Sequence, residues 1–296
     1  MKAVERIVEL WRFREVTKNF VSQNLKIKYR RSVLGFFWSL LNPLLQLLVI
    51  SVVFSLLFHI HRFALYLLSG LVPWMFFAAA VQECSMSIIG AESMLRRQYF
   101  PKLVFPLCAV LQNLVAFVLS LLVLLAVLAP FIDFRPTWAW AFLPVSFVCI
   151  VAFALGLGAL AAVVTVYFRD MQHLIAVFMG AWFYVTPIIY PLEAHPQAVP
   201  LSPRMTAAAP QTPPTAAAPA SGSAAEPDGL PIPRDYRVYF KLNPMYWMVE
   251  MFHRPIYDGV VPSRGAIAGA LSIAVGTLLL GLAVFWKFED RIIFAL

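Results

Sequence analysis

Residues 25–45 read "LKIKYRRSVLGFFWSLLNPLL" and change character half-way. Lys26, Lys28, Arg30 and Arg31 stand close together, and from Val33 onward the segment is apolar. Cations gathered at the start of a long apolar run mark the cytoplasmic end of a membrane-spanning helix. The rest of the chain agrees. Of its 296 residues 61% are hydrophobic and 13% charged, whereas soluble proteins are about 45–50% apolar and about 25% charged. A polytopic membrane protein is therefore expected. The net charge of +8 sits in segments flanking apolar runs, where it reports orientation and contact with anionic lipid. No basic face exists elsewhere, so nucleic acid is not an expected partner. The long charged segment before Val33 is unlike a cleavable leader. Cys84, Cys108 and Cys149 all lie in or beside apolar runs and read as small buried hydrophobes, not as a disulfide framework or metal site.

Six runs are long enough to cross a hydrocarbon core of about 30 Å: 33–59, 63–82, 103–131, 137–166, 173–191 and 265–286. Lys and Arg of the short loops favour one side. That side carries the segment before Val33, Arg96, Arg97 and Lys102, Arg169, and Lys287 with Arg291; the other has Arg62 and Arg135 in short loops. The remaining cations lie mostly in one long loop, which counts little. Both termini are expected in the cytoplasm. The domains expected are a cytoplasmic interface segment (1–32), a six-span unit (33–286) and a cytoplasmic tail (287–296).

Val4, Ile7, Val8 and Trp11 recur with the spacing of an amphipathic helix, with Arg6, Arg12, Arg14 and Lys18 among them. Such a helix lies in the headgroup plane, touching membrane lipid. The loop 83–102 mixes Glu92, Arg96 and Arg97 with Met94, Tyr99 and Phe100, and Pro101 breaks it. A short helix of mixed charge with aromatic residues suits docking on a protein surface. On the other side, 193–235 is a Pro/Ala-rich tract, expected to be a flexible loop. After it, Asn243 is placed to cap a helix starting at Pro244 and ending before Pro255. About ten residues is too short to span, so a re-entrant or interfacial helix bearing Glu250, His253 and Arg254 is expected.

Polar groups inside apolar runs tend to face a bundle interior, and aromatic faces pack against sugar rings. On these grounds Gln46, Glu83, Trp182, Tyr184, Tyr190, Tyr246 and Trp247 are the candidates for a substrate pathway or gate. Pro43 is expected to kink the first span, with Asn42 or Gln46 satisfying the freed carbonyl. The chain lacks a G-x-x-x-x-G-K-[ST] loop, an H-E-x-x-H pair and a nucleophile elbow, so no catalytic, metal or ATP site of its own is expected. Glu83 is the sole acid near a span interior, which disfavours ion-coupled transport.

The quoted stretch resembles the start of ABC-2 type permeases that export polysaccharides, the membrane subunits for O-antigen, capsule and teichoic-acid export. The pattern is met by Lys26, Lys28, Tyr29, Ser32, Leu34, Gly35, Trp38 and Pro43. "RRQYFPKLVFPL" (Arg97, Phe100, Pro101, Lys102, Phe105, Pro106), "YFRDMQHL" (Arg169, Asp170), "TPIIYP" (Thr186, Pro187, Tyr190) and "LNP" (Asn243, Pro244) continue in order. The Pro/Ala tract is longer than the family pattern.

The resemblance implies a homodimer of six-span subunits with two separate ATP-binding cassette subunits docked beneath. ATP and Mg would be held by those partners, with no cofactor in this chain. The loop after the second span would carry the coupling helix, which makes Glu92, Arg96, Arg97 and Tyr99 the ATPase-coupling candidates. The dimer would enclose a channel for a lipid-linked glycan in the bacterial inner membrane. The alternatives are an ABC-2 exporter of another amphiphile, a lipid or drug, and a membrane-embedded glycan transferase. The latter would need a preorganised site, and its only candidates outside, Glu193, His195, Asp228 and Asp235, lie in or beside the loop expected to be flexible.

Overall fold

The computed structural model describes residues 2–30, 37–58, 62–130, 137–190, 192 and 234–295. Every regular element among them is helical. Helices α1 (Lys2–Arg12) and α2 (Arg14–Tyr29) precede α3 (Phe37–Phe58). Helices α4 (Phe63–Gly90) and α6 (Val104–Leu128) are the arms of a hairpin whose tip holds the single turn α5 (Glu92–Leu95). A 3-10 turn, Trp138–Phe142, leads into α7 (Leu143–Tyr167), then α8 (Met171–Val185). The chain continues with α9 (Arg234–Lys241), α10 (Pro244–His253) and α11 (Arg264–Ala295). The start of the first apolar run, the turn at 59–61 and the tract 193–233 lie outside the described residues.

Among the described residues, apolar helices follow one another in the expected order. Among the described residues, four are long and apolar enough to cross a membrane: Phe63–Gly90, Val104–Leu128, Trp138–Tyr167 and Arg264–Ile292. The apolar stretches Leu40–Phe54 and Met171–Val185 are shorter. The expected boundaries shift for identifiable reasons. With 28 and 32 residues, α4 and α11 run about 42 and about 48 Å at 1.5 Å per residue. They outrun the membrane because charge begins at Glu83 and Lys287, but no Pro or internal Gly stops the helix there. One helix therefore crosses the expected domain junction at 286–287. The fifth run does the opposite. Pro187 forces Thr186 into extended backbone (φ −89°, ψ 129°), as the residue before proline prefers, and α8 stops after 15 residues.

The core lies where α4 and α7 meet α6 and α10. Phe77 stacks on Phe153 at 4.8 Å between centroids and Phe76 on Phe117 at 5.0 Å; Phe252 of α10 meets Phe117 and Phe147 edge-on. Cys84, Cys108 and Cys149 are buried free thiols, as expected. Helix α11 lies against α7 so closely that a Cβ on Gly281 would fall 2.1 Å from the Gly156 carbonyl oxygen. Glycine permits this approach, a common device between helices in lipid.

The cap of α10 is the expected one. Asn243 Oδ1 accepts from Met245 N at 3.0 Å, and Pro244 fills the first turn where no donor is needed. Pro255 does not end the helical path; it is taken into a π-helical turn, Arg254–Asp258. The stop comes at Gly259 (φ +71°), where a Cβ would also meet Thr137 at 3.0 Å.

The hairpin tip and a candidate pathway groove

The N-terminal segment is two helices, not one, broken at Phe13. Val8 and Trp11 keep their apolar stripe outward, 56% and 69% exposed. Arg6 turns the other way. It donates to the Trp286 carbonyl at 3.3 Å, lies 3.6 Å from the Glu289 carboxylate and covers the Trp286 ring. The first helix thus rests on the projecting end of α11.

The hairpin tip fits into this junction. The expected short helix is only the turn Glu92–Leu95. Within it the i, i+4 spacing holds: Arg96 Nε donates to Glu92 Oε1 at 3.0 Å. Arg97 and Tyr99 are not on that helical face, because the backbone unwinds ahead of Pro101. Tyr99 is instead tethered to α1, its hydroxyl donating to Glu9 Oε1 at 3.0 Å. That bond holds the phenol proton and raises Tyr99 above the usual tyrosine range. Lys102 is buried and donates to the Glu289 carbonyl. Burial pulls its ammonium below the usual lysine range, although the Glu289 and Asp290 carboxylates oppose this. Behind the tip, Phe100 packs against Phe13 and Phe20, and Phe105 stacks on Phe20. The tip is braced by α1, α2 and α11, and it presents Met94, Arg96, Arg97 and the 75% exposed ring of Tyr99 outward.

The pathway candidates divide. Gln46 and Tyr184 line one groove of about 480 Å³ between α3, α4 and α8, together with Trp74 and Phe183. Tyr184 is 72% exposed, and Gln46 bonds the side chain of Asn42 at 3.4 Å rather than a freed backbone carbonyl. Such a wall offers π faces and amide edges without net charge. Tyr190 braces its end, donating to the Tyr184 carbonyl at 3.1 Å while its own carbonyl accepts from Tyr66.

The other candidates lie elsewhere. Trp182 turns inward: its ring meets Trp74, Phe77 and Phe153 edge-on, and its Nε1 donates to Asn243 Oδ1 at 2.8 Å. Tyr246 is buried beside a small void that Tyr66, Glu250 and His253 also border. Trp247 packs over Gly269 of α11 and donates to the Lys241 carbonyl. Glu83 lies within α4, bonded to α2 and α6. Glu250 and His253 of the expected re-entrant or interfacial helix are buried. His253 stacks on Tyr66 at 4.4 Å and sits 2.6 Å from Ser69 Oγ, while Arg254 pairs with Glu250 and Asp258. These groups hold α10 in place. Sequence reasoning missed Trp74, which the criterion of an aromatic deep in a span would have found. It also missed Arg6, Glu9 and Glu289 as braces of the tip, for which no local signal exists.

Length, apolarity and arrangement of these helices define a multi-pass helical membrane protein without a strand among its described residues. Residues 15–202 match the ABC-2 type transporter family, and the chain belongs to it. The chain is 35% identical to the O-antigen export system permease protein RfbA of Myxococcus xanthus over 192 residues, 64% of this chain and 74% of that protein. It is 28% identical to a protein of the same name from Klebsiella pneumoniae over 179 residues, 60% of this chain and 69% of that protein. The polysialic acid transport protein KpsM of Escherichia coli is 20% identical over 285 residues, 92% of each chain.

Proposed function

We propose that this chain is the membrane permease of an ATP-driven exporter that moves a lipid-linked polysaccharide across the bacterial inner membrane. The observation that carries this reading is the braced tip Glu92–Tyr99. It is an exposed, basic and aromatic surface fixed from behind by both ends of the chain, in a member of the ABC-2 family. A surface held this way can receive a push without folding away from it. Two ATP-binding cassette subunits supply the push, with ATP and Mg bound on them, and Glu92, Arg96, Arg97 and Tyr99 are the contact. The relatives' names support a glycan as cargo. So does the uncharged, aromatic groove at Gln46, Trp74, Phe183 and Tyr184, which becomes one wall of a conduit when two copies meet as a homodimer. In this reading α3 and α8 complete six crossings, α10 is a re-entrant or interfacial helix, and the braced end faces the cytoplasm.

Deleting the gene tests this. A surface glycan should disappear while its lipid-linked form accumulates inside, and the intact gene should restore it. Unchanged surface glycan, with no trapped precursor, refutes the reading.

A further inference from the structure

Glu83 sits about two turns before the end of α4 and accepts from donors on two other helices. Lys28 Nζ of α2 reaches Oε1 at 2.7 Å; Gln112 Nε2 and Asn113 Nδ2 of α6 reach Oε2 at 2.6 and 2.7 Å. Helices α4 and α6 are the arms that carry the tip, while α2 leads toward α3. One carboxylate therefore ties both arms to the helix that precedes the first span.

Its bonds are not equivalent. Asn113 is buried and also donates to the Ala109 carbonyl within its own helix, so the α4–α6 side is fixed. Lys28 and Glu83 side chains are 45% and 33% exposed. Beside this pair a groove of about 390 Å³ is lined by Phe20 and Asn24 of α2 and by Glu83, Met86, Cys108 and Gln112 of the hairpin. Toward the tip α2 is held by the stacking of Phe20 on Phe105 and by Cys108 Sγ, which donates to the Thr17 carbonyl at 3.7 Å; farther along, Lys28 reaches Glu83. A pair this exposed biases an equilibrium about fivefold or less. That favours one arrangement and yields to a motion driven by nucleotide. A bare carboxylate at the membrane boundary is costly, but Gln112 and Asn113 continue to satisfy Glu83 when Lys28 leaves.

We propose that Glu83 is a positioning residue of the transport cycle. It latches α2, through Lys28, onto the α4–α6 hairpin in one state and releases it in the other, so that displacement of the tip is passed through α2 to α3. This rests on the reading of the chain as an ATP-driven permease.

The test uses the full complex with its ATP-binding subunits in proteoliposomes, with lipid-linked glycan purified from the native cells. Glycan exported and ATP hydrolysed are both measured. Glu83→Gln keeps an oxygen for Gln112 or Asn113 but loses the ion pair; Lys28→Met removes the other partner. Each should lower glycan moved per ATP up to about fivefold, the scale of an ion pair this exposed, with assembly and ATP hydrolysis retained. Lys28→Arg, which keeps a cation opposite Glu83 and leaves Gln112 and Asn113 bonded to the carboxylate, should retain most of the ratio. Should Glu83→Gln fail to assemble, the half-exposed Lys28→Met decides alone. A wild-type complex that moves no glycan refutes the exporter reading itself. One that exports while Lys28→Met keeps the wild-type ratio overturns the latch alone.

Discussion

Asn243 shows how much one short side chain can hold. Its Oδ1 accepts from the Trp182 indole and from Met245 N, and its Nδ2 donates to Thr186 Oγ1 at 2.9 Å. It thereby joins the first turn of α10 to the end of α8 at the point where Pro187 has broken the helix. Asn243→Ala removes a helix cap, worth about 1 kcal/mol, and strands a partly buried indole N–H, costing about 1–3 kcal/mol more. Thermal unfolding of the detergent-solubilised protein should show a loss of about 2–4 kcal/mol. An unchanged midpoint would mean that water replaces these bonds. The exposed Glu92–Arg96 pair is a contrasting case. Such a pair contributes at most about 1 kcal/mol to stability, so its removal should not disturb the fold.

At the scale of elements, that contrast separates packing from coupling. The double change Glu92→Ala and Arg96→Ala should leave insertion and dimerisation intact while abolishing export and uncoupling ATP hydrolysis in the co-purified complex. Normal export would discard the tip as the coupling element. A pull-down with the ATP-binding subunit distinguishes lost docking from failed transmission. The α7–α11 contact behaves oppositely. Gly281→Leu puts its Cβ into the Gly156 carbonyl, and overpacking of this kind costs typically 1–3 kcal/mol, occasionally more. The yield of folded protein after extraction should fall sharply. A Cβ on Gly276 of the same helix meets nothing within 4 Å, and Gly276→Leu should be tolerated. Equal yields from the two variants would show that α11 shifts away from α7 freely.

For the whole molecule, the contact of Arg6 with Trp286 and Glu289 places the two ends of the chain at one end of the bundle. Two ends on one side require an even number of crossings. Of the helices described between Ala217 and Leu296, α11 alone is long enough to cross, so reporter fusions at the two sites should report opposite sides, with Leu296 in the cytoplasm; the same side for both would end the six-crossing topology. The arrangement also gives a use to helices longer than a hydrocarbon core of about 30 Å. The surplus of α4 carries the tip beyond the hydrocarbon, and the surplus of α11 carries Glu289 out to Lys102.

The sequence by itself determined the apolar runs and their order, the Asn243–Pro244 cap and the Glu92–Arg96 pair; the break at Pro187, inside the run 173–191, came from the structure. Each of the former is encoded within a few residues, by periodicity, by the missing N–H of proline or by i, i+4 spacing. Its cations before Val33 also marked the stretch that gives the chain away as a membrane protein. Only the tertiary structure decided where α4 and α11 end, because a charge begins a boundary in the membrane but not in a helix. It alone showed that Trp182 serves Asn243, that Tyr99 is tethered to Glu9, and that Glu83 joins three helices. Those contacts link residues from 29 to 90 positions apart, and no local pattern registers them. They arise only when packed helices bring donors and acceptors together at a boundary where an unpaired polar group is expensive.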